Sequence, residues 1–230
     1  MDAGVVNDVV LDGVTTRFRL PNPKDGIQRY LAAGEFYDLR QLRFHQQLVA
    51  KKRVVLDVGS NIGNHALFYA MHTLASKVVC FEPNPIAQDV LRENVRLNDA
   101  DNVDLAHVAY GVGAERATMA VGPVPGHNLG GTALVAADQG DGPKIEIAPL
   151  DELVIDEPIS FIKIDVEGME MPVLKGAEQT FERWRPALAI EIANAHITKF
   201  WRWAEAHDYH VINAFRMYAA NINYVCVSKR

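Results

Sequence analysis

From residue 54 onward, short apolar runs alternate with segments whose apolar residues recur at helical spacing. Residues 54–58, 77–81, 103–109, 161–166 and 187–192 read as strands. Residues 64–74, 86–98, 173–181 and 197–206 read as helices, and residues 210–215 and 224–228 close the chain as two more strands. Apolar strands separated by helices predict a parallel sheet covered on both faces. The link at residues 216–223 is too short for a crossover helix, so the last strand is expected to be antiparallel.

Two regions depart from this rhythm. Residues 5–20 alternate as a β-hairpin around Asp12-Gly13. Residues 25–50 carry a helical stripe of Ile27, Leu31, Leu39, Leu42, Leu48 and Val49. Lys51-Lys52-Arg53 is expected to close that helix, where positive charge suits the dipole. Residues 1–50 are thus expected to form a hairpin and helical extension of the domain built by residues 51–230. The interval 111–150 is the second departure. Residues 116–121 and 145–150 suggest an inserted strand pair, joined by the Gly- and Pro-rich GPVPGHNLGGTALVAADQGDGPK. A connection this long is expected to be functional or disordered, and His127 and Asn128 within it could close over a ligand or read as solvated loop residues.

Composition narrows the class. A chain of 230 residues suits one α/β domain. Its two cysteines, Cys80 and Cys226, each lie in an apolar run and read as buried thiols, and no Cys/His cluster has zinc spacing. The net charge of −6 argues against nucleic-acid binding. Asp2, Asp8 and Asp12 interrupt the N-terminal sequence, which has no basic leader, and no apolar run is long enough to span a membrane. A cytoplasmic location is expected.

The run Val54-Val55-Leu56-Asp57-Val58-Gly59-Ser60-Asn61-Ile62-Gly63-Asn64 ends a strand in an acid and a glycine loop. In parallel α/β sheets, ligands sit beyond the carboxyl ends of the strands. Gly59 permits a sharp turn, Gly63 permits close approach, and the helix from Asn64 directs its N–H groups at the crevice. The spacing lacks the middle glycine of a dinucleotide fingerprint and the Gly-Lys-Ser/Thr of a P-loop. It suits a nucleoside without a pyrophosphate but with an amino group that Asp57 could attract, as in S-adenosylmethionine. The next strand ends Glu82-Pro83-Asn84, placing an acid for ribose hydroxyls, and Tyr110 ends the third strand beside an expected adenine.

A second acidic edge follows. In Phe161-Ile162-Lys163-Ile164-Asp165-Val166-Glu167, three charges alternate onto one face of a strand expected to be apolar on both. Burying them is costly unless they are paired or used. Glu191 interrupts the next apolar run, so Asp165, Glu167 and Glu191 are expected to converge. Transfer of a methyl group to an alcohol needs a base within reach of its proton; Asp165, Glu167, Glu191 and His196 are the candidates. Lys163 could instead form a structural ion pair with one acid, and Asp165 with Glu191 could hold a divalent ion. Glu35, Tyr37 and Asp38 could cap the cofactor but read more simply as helix surface.

Three stretches, VVLDVGSNIGNHALFYA, VVCFEPNP and FIKIDVEGMEMPVLKGAE, resemble the FkbM family of S-adenosylmethionine-dependent methyltransferases. NLGGTAL, APLDEL and NYVCVS fit the same family, so the resemblance covers residues 30–230. It implies a class I methyltransferase (Rossmann-like) seven-stranded sheet of order 3-2-1-4-5-7-6. It further implies O-methylation of a sugar hydroxyl or a polyketide-like product. Carried over, Asp57, Gly59, Asn61, Gly63 and Glu82 would contact cofactor, with Ser60, Asn64, Pro83, Asn84 and Tyr110 around them. Asp165, Glu167 and Glu191 would sit at the reaction centre. Ser60 stands where the family often has alanine, and Tyr110 where it often has a smaller residue. The alternatives are a non-sugar acceptor and a methyltransferase-like fold that only binds a partner.

Overall fold

A computed structural model of the chain describes residues 4–153, 156–216 and 218–229; Asp2, one of the N-terminal acids, lies outside them. The hairpin consists of β1 (Val5–Leu11) and β2 (Val14–Leu20). Asp12 at φ 51° and Gly13 at φ 80° make its two-residue turn, the left-handed pair that matches strand twist. The helical stripe of residues 25–50 divides into α1 (Gln28–Ala32) and α2 (Leu39–Gln46). Gly34 at φ 81° and Asp38 at φ 60° interrupt it, since neither conformation continues a right-handed helix. Lys51, Lys52 and Arg53 therefore lie beyond α2, with Lys52 at φ 57° in a turn, rather than capping a helix.

The alternating part then runs β3 (Val54–Val58), α3 (Asn64–His72), β4 (Lys77–Phe81), α4 (Pro85–Leu97) and β5 (Val103–Asp104). The third strand is far shorter than residues 103–109. Asp104 Oδ1 accepts the Ala106 N–H at 2.9 Å, and this turn stops the strand. The irregular interval forms β6 (Gly111–Val112), β7 (Ala117–Val121), β8 (Leu134–Ala136) and β9 (Lys144–Ala148). These make a four-stranded sheet of order β6-β9-β7-β8, where the sequence suggested a pair.

After α5 (Leu150–Leu153) come β10 (Ile159–Ile164), α6 (Glu170–Lys175), α7 (Glu178–Trp184) and β11 (Ala187–Ala193). The single helix expected over residues 173–181 is broken at Gly176, where a Cβ would lie 1.9 Å from the Gly113 carbonyl oxygen. Then α8 (Ile197–Ala206), β12 (Tyr209–Phe215) and β13 (Asn221–Ser228) complete the chain.

The main sheet has the order β12-β13-β11-β10-β3-β4-β5. Renumbered along the alternating part, this is 3-2-1-4-5-7-6, and β13 runs antiparallel to both its neighbours. The strand alternation divides the core. Val54, Leu56 and Val58 face one apolar cluster with α6, α7 and α8, while Val55 faces a second cluster with α3, α4 and the hairpin. The hairpin is tied to α4 through its backbone: the Arg17 and Arg19 N–H groups donate to Asn98 and Asn94 Oδ1, each at 2.7 Å. These bonds cover an edge of β2 that would otherwise be open to pairing. Cys80 and Cys226 are buried free thiols.

Candidate active site

The carboxyl ends of β3, β4, β10 and β11 open into a cavity of about 470 Å³, closed on one side by residues of the N-terminal extension and of the long loop before β8. Its first edge is the glycine loop. Gly59, at φ 85°, presses against the chain after β10; a Cβ there would lie 1.8 Å from the Asp165 carbonyl oxygen. Only glycine allows both the turn and that approach. Ser60 Oγ closes the loop by donating to the Asp57 carbonyl at 2.7 Å. Gly63 is off the cavity lining. At φ 94° it starts α3, and a Cβ would meet Leu91 Cδ1 at 2.7 Å, so its role is packing of α3 on α4.

Glu82, at the end of β4, organises the neighbouring loop. Its Oε2 accepts the Asn61 N–H at 2.8 Å and its Oε1 the Asn84 N–H at 2.9 Å. Burial pushes its carboxyl up to about 7 against the pull of those two N–H groups. Asn84 Oδ1 caps α4 through the Ile86 N–H at 3.1 Å. Asn61 Oδ1 and Asn84 Nδ2 are buried with no partner in the protein, and both residues line the cavity beside Pro83 and Tyr110.

The floor is an ion pair. Register places Lys163 of β10 opposite Asp57 of β3, and Lys163 Nζ lies 3.3 Å from Asp57 Oδ1 and 3.9 Å from Asp165 Oδ2. Lys163 Nζ also donates to the Gly59 carbonyl. Burial lifts the Asp57 carboxyl and works to lower Lys163; the carboxylates beside the lysine prevail and raise it. Asp57 is fully buried beneath the cavity lining. It fixes the lysine that holds the glycine loop.

The opposite edge carries the acids. β10 ends at Ile164, so Asp165 and Glu167 lie in the turn that follows, with Glu167 at φ 51°. Because β10 pairs parallel with β11, Glu191 comes alongside them. One carboxylate oxygen of each of Asp165, Glu167 and Glu191 lies within 4.8 Å of the others. Burial and the adjacent Asp165 push Glu167 up to about 7, and burial with Asp165 and Glu167 pushes Glu191 up to about 8. Two of the three thus hold or release a proton near neutrality. His196 is elsewhere: its Nδ1 lies 3.9 Å from Glu170 Oε2, off the cavity lining.

Several lining residues gave little signal in the sequence. Asn64 lines the cavity and is tied to Tyr37: its Oδ1 accepts the Tyr37 N–H at 3.1 Å and its Nδ2 donates to the Tyr37 carbonyl at 3.0 Å. That pair of hydrogen bonds sets Tyr37 in the cavity, where its hydroxyl meets the Tyr218 hydroxyl at 3.1 Å. Burial and the nearby Asp38 raise Tyr37, which keeps its proton as a donor. Asp38 is itself pushed up to about 7 by burial and by Asp165. His65 lines the cavity as a neutral ring, its pKa lowered by burial and by Lys163.

The long loop is anchored by Asp25, which is 1% exposed. Its Oδ1 accepts the Ile27 and Gln28 N–H groups at 2.9 and 3.2 Å, and its Oδ2 accepts the Leu129 N–H at 2.8 Å. Asn128 lines the cavity; His127 is exposed and does not. An isolated aspartate more than a hundred residues from its partner carries no local pattern, while Tyr37 was legible as a possible cap on the cofactor but read more simply as helix surface.

Solved structures of class I methyltransferases share this α/β fold. A methyltransferase FkbM from Methylobacillus flagellatus superimposes with a TM-score of 0.57 at 22% identity, covering 79% of this chain and 46% of that one. An rRNA methylase from Streptococcus thermophilus does so at 0.53 and 14% identity, covering 83% and 95%. At these identities the likeness is one of fold. Residues 57–224 match the methyltransferase FkbM domain, and the chain belongs to that family.

Among relatives, the hexuronic acid methyltransferase AglP of Haloferax volcanii is 32% identical over 153 residues, covering 62% of this chain and 60% of AglP. The methyltransferase sdnD of Sordaria araneosa is 26% identical over 164 residues, with 61% of its length matched. The 2-O-methyltransferase NoeI of Sinorhizobium fredii is 27% identical over 195 residues, covering 69% of this chain and 79% of NoeI. The chain thus spans about three fifths of the length of AglP and of sdnD. Among the described residues, no helix is long and apolar enough to cross a membrane.

Proposed function

We propose that the protein is an S-adenosylmethionine-dependent O-methyltransferase whose acceptor is a hydroxyl of a sugar or glycosylated molecule. The observation that carries this reading is the Gly59–Asp165 contact, which sets the glycine loop and a cluster of three carboxylates on facing edges of one cavity. Family membership supports methyl transfer, and the printed activities of AglP and NoeI support a sugar hydroxyl.

When bound, S-adenosylmethionine would supply an electrophilic methyl group on a sulfonium. The residues present fit that ligand: Glu82 could accept from ribose hydroxyls, and Asn61 and Asn84 line the cavity beside it. Tyr110, in the same lining, would border the adenine. Asp165, Glu167 and Glu191 would receive the acceptor hydroxyl and take its proton as the oxygen attacks. A carboxylate held near neutrality is suited to that exchange, since it is free to accept yet basic enough to pull. Ile27, Leu129 and Gly130 cover the cavity and keep bulk water from competing for the methyl group.

Calorimetry with S-adenosylmethionine, followed by a labelled-methyl screen of nucleotide sugars, rhamnosides and fucosides, tests the reading. Binding at micromolar donor with label in a glycoside supports it. No binding at millimolar donor would favour a fold that only recruits a partner.

A further inference from the structure

The charged residues lining the cavity are almost all of one sign. They are Glu82 at the donor end, then Asp165, Glu167 and Glu191; Lys163 is the single lysine or arginine among the described lining residues. Its side chain is 7% exposed and is committed to Asp57, Asp165 and the Gly59 carbonyl. It cannot turn toward an acceptor without breaking the floor. The rest of the acceptor edge is neutral and polar: the Tyr37 and Tyr218 hydroxyls and the amides of Asn128 and Asn221.

Building on the methyltransferase reading above, we infer that this cavity accepts an uncharged or amino-bearing hydroxyl compound and rejects a uronate or phosphate ester. S-adenosylmethionine brings one net positive charge, which does not offset the three carboxylates clustered within 4.8 Å once pH rises above about 8 and Glu167 and Glu191 are ionised. An acceptor carboxylate would enter against like charge, with no free lysine or arginine among the described lining residues to meet it. A neutral sugar has the opposite fit. Its hydroxyls can donate to the carboxylates and exchange hydrogen bonds with tyrosine and asparagine. An amino sugar gains further from the same acids. The chain would then part from its relative AglP, whose name specifies a hexuronic acid. Rejection of the wrong charge, rather than attraction of the right one, would set the specificity.

The test uses three sugars of matched shape: methyl glucuronide, its neutral methyl ester, and methyl glucosaminide. Their binding to the protein loaded with S-adenosylhomocysteine is measured by calorimetry at pH 8.5, where Glu167 and Glu191 are ionised, once with EDTA and once with magnesium. The ester and the glucosaminide are expected to bind at least about 10-fold more tightly than the free acid in both conditions. Glu191→Gln is expected to narrow that gap. Equal or tighter binding of the free acid in EDTA would overturn the inference. The same result in magnesium alone would also overturn it, by showing that the carboxylates serve as a cation site that recruits anions. Failure of all three sugars while S-adenosylhomocysteine binds would overturn the carbohydrate class with it. Failure of S-adenosylhomocysteine itself at millimolar concentration would instead remove the parent reading.

Discussion

Gly59 and Asp165 touch through their backbones: the Asp165 carbonyl oxygen fills the place, 1.8 Å from an ideal Cβ, that any other residue at 59 would need. The contact joins the end of β3 to the turn after β10 and so sets the distance between the two edges of the cavity. Gly59→Ala is expected to cost at least about 2 kcal/mol, from a strained φ together with a forced backbone shift. Gly168→Ala is the control. Gly168 has φ 102° but nothing within 4 Å, so only backbone strain of about 1–2 kcal/mol is expected. Urea denaturation of both variants checks this; equal losses would mean that the Asp165 contact is not what demands glycine.

Glu82 serves two purposes that can be separated. It holds the Asn61 and Asn84 N–H groups, and it is proposed to accept from the ribose. Glu82→Gln retains one acceptor oxygen and much of the loop. It is expected to weaken donor binding by about 1.5–3 kcal/mol, the worth of hydrogen bonds to a charged group. Calorimetry measures the affinity and thermal unfolding the loop. An unchanged dissociation constant would contradict the ribose assignment.

Glu191 makes stability depend on pH in a defined direction. Its carboxyl is pushed up to about 8 in the fold by burial, Asp165 and Glu167, from an ordinary 4.5. The unfolded chain therefore gives up this proton at lower pH than the folded one. Stability is full below pH 4.5 and is lost as pH rises through 8. Glu191→Gln, which mimics the protonated form, should flatten that decline. Glu191 is partly exposed and solvent screens it, so about 1 kcal/mol, or about 2–4 °C in Tm, is expected at pH 8.5. A variant whose Tm falls in parallel with the wild type over pH 5–8.5 would rule this out.

Much of this arrangement was legible in the residues. The bounds of β3 and β4 are those read from the apolar runs, because central parallel strands are apolar on both faces and end sharply at Gly or Glu-Pro. The meeting of Asp165, Glu167 and Glu191 followed from treating their strands as neighbours. What stayed hidden depends on contacts distant in sequence. Alternation put Lys163 on the same face as Asp165, but its pairing with Asp57 depends on the β3–β10 register, about a hundred residues apart. That pairing gives Asp57 a buried cation as its partner. His196, at the start of α8, is turned toward Glu170, an orientation no spacing reveals. The third strand and the helix over residues 173–181 were overextended, because an Asx turn at Asp104 and a backbone contact at Gly176 override local propensity.

Asp25 ties the long loop to the N-terminal extension through the Leu129 N–H at 2.8 Å. Asp25→Asn leaves one oxygen and turns an amide toward an N–H donor. Faster hydrogen exchange at the Leu129 amide and a several-fold weaker donor affinity are expected, with about 1–3 kcal/mol at stake in the broken charged bonds. Unaltered exchange at Leu129 would show that apolar packing of the loop, rather than this carboxylate, holds it in place.

The central claim is that one cavity seats an adenosyl donor on the glycine loop with its sulfur facing three carboxylates. A crystal structure with S-adenosylhomocysteine tests it most directly. The expected result is the ribose on Glu82 and the sulfur directed at Asp165, Glu167 and Glu191. A nucleoside bound outside this cavity, or a sulfur turned away from those acids, would contradict it.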